Sequence, residues 1–147
     1  MTLDDKDRKI LQNLLVDARL SSRQLAHKLG MSTVTIISRL KKLEKENIIL
    51  GYTARVNQEA LGYDLTAVIE ITTAHGKMIE IGKTIADYEN VSAVYDITGT
   101  ADTIVIAKFK NRTSLSEFVK KVSSLPHVEN TVTHIVLNTI KEDQRFI

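Results

Sequence analysis

Ser21-Ser22-Arg23-Gln24-Leu25-Ala26-His27-Lys28-Leu29-Gly30-Met31-Ser32-Thr33-Val34-Thr35-Ile36-Ile37-Ser38-Arg39-Leu40-Lys41-Lys42-Leu43 is the stretch on which the fold turns. Leu25, Ala26 and Leu29 give a short helix, starting at Ser21 or Ser22, one buried stripe. Gly30 follows at the left-handed position that ends a helix without a Cβ penalty. Ser32 is the N-cap candidate of a third helix running to about Glu46, with Asn47 just beyond its end. Helix, glycine-centred turn of three to four residues, helix is the helix-turn-helix pattern. A generic corner between two helices looks the same locally, so the chemistry of the third helix has to decide.

At 100° per residue, Ile36, Leu40 and Leu43 share the core side of that helix. Val34, Ile37, Ser38 and Lys41 fall on the far side, Thr35 and Lys42 flank them, and Arg39 sits at the edge of the core face. No acid occurs before Glu44. An ordinary solvated basic face carries Glu among its Lys residues. Hydroxyls, branched apolar groups and Lys without acids suit a helix laid against DNA, where base edges are read and phosphates neutralised. The expected DNA-contacting residues are Ser22, Arg23, Ser32, Thr33, Val34, Thr35, Ile37, Ser38, Arg39, Lys41 and Lys42.

N-terminal to this motif, residues 5–18 read as a first helix. Asp4 caps it, Asp5 and Asp7 lie in its first turn, and Ile10, Leu11, Leu14, Leu15 and Ala18 form one apolar face. On the C-terminal side, residues 48–56 are a short apolar segment, and a helical turn from Asn57 ends at Gly62. The period then changes. Leu65–Thr73 alternates and is β-branched, Lys77–Tyr88 is helical, and Val91–Thr98 and Thr103–Phe109 are strands joined by Gly99–Asp102. A helix capped by Thr113 or Ser114, with Glu117 closing a capping box, runs towards Pro126. Val128–Thr139 is the last strand. The order β-α-β-β-α-β is the ferredoxin-like arrangement, with two helices on one face of an antiparallel sheet. The expected class is α+β: a three-helix, winged-type helix-turn-helix in residues 1–56, and a ferredoxin-like βαββαβ domain in residues 57–147. The free sheet face takes one of two sets, Val132, His134 and Val136 or Thr131, Thr133 and Ile135. Either set holds apolar residues, so a partner sheet, hence a dimer, is expected.

Charge divides along the same line. Of the net +2, residues 1–56 carry 11 Lys/Arg against 6 Asp/Glu, and residues 57–147 carry 9 against 12. A basic half joined to an acidic half places a polyanion partner on the first half alone. The 147 residues contain no cysteine, which excludes disulfides, thiolate metal sites and a Cys nucleophile and favours a cytoplasmic address. No apolar run is long enough for a membrane span, and no secretory signal is visible at the N-terminus. His27, His75, His127 and His134 lack metal-ligand spacing, no phosphate-cradling glycine motif occurs, and no nucleophile triad is recognisable, so neither a cofactor nor an enzyme is expected.

The residues also carry a family resemblance. Leu3-Asp4-Asp5-x-Asp7-Arg8-Lys9-Ile10-Leu11, Ser21–Ala26, Gly30-x-Ser32 and Arg39-x-Lys41-x-Leu43-Glu44-x-x-Asn47-Ile48-Ile49 resemble the N-terminal half of the Lrp/AsnC (feast/famine) transcriptional regulators. Asn57-x-Glu59-Ala60-Leu61-Gly62 resembles that family's link between domains. Gly99-x-x-Asp102 resembles its Gly-Asp-x-Asp loop, and Thr133–Leu137 its last strand. The resemblance implies a homodimer built on the open sheet face, assembling into tetramers, octamers or similar. It also implies an amino-acid effector between dimers, with Gly99, Thr100 and Asp102 as its contacts and Thr131 and Thr133 contributing from the last strand. Thr100 stands where the family often has Asp, which removes a charge from that loop. The expected function is a sequence-specific DNA-binding transcriptional regulator modulated by an amino acid. The alternative is a ligand- or protein-binding assembly module without DNA binding.

Overall fold

The computed structural model describes residues 2–145. They form two compact units, one of residues 2–55 with 141–145, the other of residues 56–140. The return of 141–145 to the first unit is not part of the expected division at 56/57.

In the first unit, α1 (Asp5–Val16), α2 (Ser22–Leu29) and α3 (Thr33–Lys45) enclose Ile10, Leu11, Leu25, Ala26, Ile36 and Leu43. Asp4 caps α1 through a reciprocal box with Asp7, and Ser21 caps α2 through one with Gln24. Gly30 ends α2 at φ 62°, and Asn47, just past α3, takes φ 55°. α1 stops two residues short of the expected 18. The Asp17 carboxylate accepts the Arg19 amide at 2.9 Å, a local turn that competes with the helix and leaves Ala18 exposed. No strand forms over residues 48–56, where the wing of the expected winged-type motif would lie; the segment is irregular, and its Ile48 and Ile49 amides donate to Leu43 O. Tyr52 on it donates its hydroxyl to Glu44 Oε1 at 2.9 Å.

The second unit opens with a 3₁₀ turn, Glu59–Leu61, that ends at Gly62. β1 (Leu65–Thr73), α4 (Met78–Ala86), β2 (Val91–Asp96), β3 (Thr103–Phe109), α5 (Arg112–Ser123) and β4 (Val128–Ile135) follow. The sheet is antiparallel in the order β2-β3-β1-β4. Ala67, Ile69, Ile71, Val105, Ala107 and Phe109 point from it towards Ile81 and Ile85 of α4 and Phe118 and Val122 of α5. Register assigns the opposite face to Val68, Glu70, Ile104, Ile106, Val132, His134, Ala93 and Tyr95. The free set on β4 is therefore Val132 and His134, while Thr131, Thr133 and Ile135 lie on the helix side.

Several boundaries differ from expectation: α4 is Met78–Ala86 and not 77–88, and β2 ends at Asp96 and not at 98. β4 ends at Ile135, not 139, because its partner β1 begins at Leu65; the last rung is Val136 N–H to Thr66 O, at 2.9 Å. α5 starts earlier than Thr113 or Ser114. Asn111 is its cap, accepting the Ser114 amide at 2.8 Å, and Glu117 lies one turn too far along to close a box.

Candidate DNA interface and sensor loop

α3 is positioned by three apolar side chains and a cap. Ile36 and Leu43 are fully buried and Leu40 partly so. Ser32 Oγ accepts the Thr35 amide at 3.1 Å and shares a 2.7 Å hydrogen bond with the Thr35 hydroxyl. Those two hydroxyls hold the start of the helix. The opposite face carries Val34 (77% exposed), Ile37 (40% exposed), Ser38, Lys41 and Lys42. Burial does not account for two branched apolar residues at these exposures. Lys41 and Lys42 enter no ion pair among the described residues. Arg23 is exposed in the first turn of α2, and Ser22 and Thr33 are half-buried.

Arg39 is paired within the unit. Its Nη1 lies 2.8 and 2.7 Å from the two carboxylate oxygens of Asp4 and 2.7 Å from Asp7 Oδ1. Asp7 is only 4% exposed. The guanidinium hydrogen bond, helped by the Asp7 amide, holds the Asp4 carboxyl down at about 2, and the two carboxylates raise Arg39 above its ordinary value. Arg39, one of the expected DNA contacts, is thus paired inside the unit. The acids at positions 4 and 7 were read as helix-start signals, and nothing in the sequence gave the pairing across 32 and 35 residues.

In the second unit, Gly99 takes φ 124° in the turn between β2 and β3, a backbone conformation that favours glycine. Thr100 is exposed beside it. Asp102 staples the loop to the end of β1. Its Oδ2 accepts the Thr73 amide at 2.8 Å, and the Thr73 hydroxyl lies 3.4 Å away. Its own amide donates to Ile71 O, and its carbonyl accepts from Ile97 N. Sequence reasoning missed Thr73, which the β1–β3 register brings opposite the loop.

The other two expected effector residues lie across the sheet. Thr103, which follows the loop, and Thr131 both pair with Ile71 from opposite sides of β1. Two strand spacings, roughly 10 Å, therefore separate them. Thr131 Oγ1 is hydrogen-bonded to Ser123 Oγ at 3.0 Å, and Thr133 is half-buried two residues further on. One chain does not close these five residues around a common cavity. One concavity in this unit is an open groove of about 270 Å³ between α4 and β2, with Lys83 and Asp96 among its lining residues. Among the described residues, no cluster of His, Asp or Glu suits a metal ion, and no helix is long and apolar enough to cross a membrane.

Comparison with known proteins agrees with both halves. Residues 3–44 match the AsnC-type helix-turn-helix domain, and residues 66–146 match the Lrp/AsnC ligand binding domain. A helix-turn-helix transcriptional regulator of Pyrococcus furiosus is 49% identical over 145 residues, covering 99% of this chain and 98% of that protein. The regulator FL11 of Pyrococcus abyssi is 39% identical, with 97% and 94% covered. Among solved structures, a Neisseria meningitidis transcriptional regulator in complex with L-Met superposes with a TM-score of 0.91 at 28% identity, covering 99% of this chain and 97% of that one. Bacillus subtilis LrpC superposes at 0.86 and 30% identity, with 96% and 99% covered. The chain belongs to the Lrp/AsnC family of helix-turn-helix transcriptional regulators, a non-enzymatic family with a ligand-binding domain.

Proposed function

We propose that this regulator binds duplex DNA sequence-specifically as a dimer or larger assembly, and that a small amino acid modulates it. Residues 1–56 are the DNA-binding part in this reading, and residues 57–147 carry assembly and effector binding, in the cytoplasm. The observation that carries the DNA reading is the solvent face of α3. Val34 and Ile37 stand exposed beside Ser38 and two lysines that enter no ion pair among the described residues. Branched apolar groups meet thymine methyls in the major groove, and lysines hold the flanking phosphates.

Assembly is supported by the free sheet face, where Val68, Ile104, Ile106 and Val132 lie side by side around a 3.6 Å His134–Glu70 contact. Such a face is covered when two sheets stack. Effector binding rests on family membership and on the likeness to a regulator solved with L-Met. The loop suits a zwitterion: Asp102 accepts hydrogen bonds, Thr100 offers a hydroxyl, and no basic side chain lies between Gly99 and Asp102 to draw a phosphate. Because Asp102 Oδ2 is already engaged by Thr73, its role towards a ligand is partly to shape the loop.

Selection of bound duplexes from a random pool, with and without the twenty amino acids, tests the proposal. An enriched, A/T-containing motif whose recovery shifts with one amino acid is expected. Enrichment of no duplex under any condition would favour the alternative, an assembly module without DNA binding.

A further inference from the structure

The Arg39 clasp bears on how α3 is aimed. Ile36, Leu40 and Leu43 press α3 onto the core, but apolar contact is non-directional and tolerates small rotation and sliding. Arg39 adds a directed constraint. One guanidinium nitrogen bridges both acids of the capping box that starts α1. The middle of α3 is thereby pinned to a fixed point of α1, and the buried Asp7 carboxylate requires that pin, since an unpaired buried charge is costly.

Resting on the DNA-binding reading above, we propose that Arg39, with Asp4 and Asp7, is a positioning residue for the recognition helix, setting the direction in which Val34, Ile37 and Ser38 face the bases, and is not a phosphate contact. A cation matched by two carboxylates through Nη1 presents little net positive charge to a phosphate. It also displaces few counterions from DNA, so it should contribute little to the salt dependence of binding. Lys41 and Lys42, exposed and unpaired, are the residues that should contribute.

The two roles predict opposite results for the full-length protein on a duplex it selects and on a scrambled duplex. If Arg39 positions α3, Asp4→Asn, which keeps a good N-cap but removes the charge, weakens the selected duplex between about 2- and 100-fold. Scrambled-duplex affinity and the salt slope stay at parental values. Arg39→Ala shows the same loss of discrimination with the slope unchanged, whereas Lys41→Ala weakens both duplexes alike and lowers the slope by about 1. Tighter binding by Asp4→Asn, or a slope lowered by about 1 in Arg39→Ala, overturns the proposal, because either means that the guanidinium meets phosphate. So do two variants that bind with parental discrimination well below their melting temperatures, since a purely structural bridge would behave that way. A parent that binds no duplex contradicts the DNA reading itself. The clasp is then judged by thermal unfolding of Arg39→Ala, Asp7→Asn and the double variant, where additive losses overturn it and a double variant little worse than Arg39→Ala supports it.

Discussion

Single side chains separate recognition from support. Val34 and Ile37 have little to lose in the folded state, so Val34→Ser and Ile37→Ser should each change stability by less than about 0.5 kcal/mol. They should weaken binding at one or two base positions only, as duplex selection repeated with each variant would show. A large fall in melting temperature without a change of preference would mean that these residues pack inside the protein. Asp4 gives a second prediction. Its carboxyl is held at about 2 against an ordinary 3.8 by Arg39, so its stabilisation is complete above about pH 4 and is lost as pH falls towards 2. Acid unfolding of the parent should be steeper over that window than that of Asp4→Asn; coincident curves would deny the pairing. Residues on the surface of α3 were legible because helical periodicity alone puts them there. The pairing of Arg39 was not legible because its partners lie more than thirty residues away, and only the packing of α3 on α1 brings them together.

Elements were legible in kind and order, and less so at their ends. Gly30, Ser32 and Asn47 marked the limits of α2 and α3 because each has a local backbone reason to be there. The end of β4 had none. Its apolar alternation continues past Ile135, and only the start of β1 at Leu65 stops the ladder. At α5, Ser114 and Glu117 have the spacing of a capping box, yet Asn111 takes the cap. Asn111→Ala should therefore cost about 1 kcal/mol in urea unfolding, and Glu117→Ala less than about 0.5. The reverse ranking would restore the later start. The sensor loop is similar: Gly99 and Asp102 were visible in sequence, but Thr73, which Asp102 holds, depends on strand register. Loss of the Asp102 acceptor leaves the Thr73 amide unsatisfied in a part-buried position, so Asp102→Ala should destabilise by about 1–3 kcal/mol and Asp102→Asn by less.

At the scale of the whole molecule, the chain divides into a basic helical unit and a sheet unit with one unpartnered face. The charge asymmetry and the change of hydrophobic period are sequence features that differ between these two units. The five candidate effector residues were not readable as a site, because those on the loop and those on β4 lie on opposite sides of β1. In the proposed reading, a ligand touching both sets is completed by a second chain, which would tie effector binding to assembly. An effector can then shift DNA affinity only through unequal affinity for two assembled arrangements. Analytical ultracentrifugation of the parent should show dimers or larger species, redistributed by one of the twenty amino acids; a monomer under all conditions would contradict the assembly reading. The central claim, that the α3 face reads DNA, is tested most directly by the salt dependence of parental binding to a selected duplex bearing two half-sites one helical turn apart. Log affinity should fall linearly and steeply with log salt, and moving the half-sites by about 5 base pairs should abolish tight binding. Affinity indifferent to both salt and spacing would contradict the account.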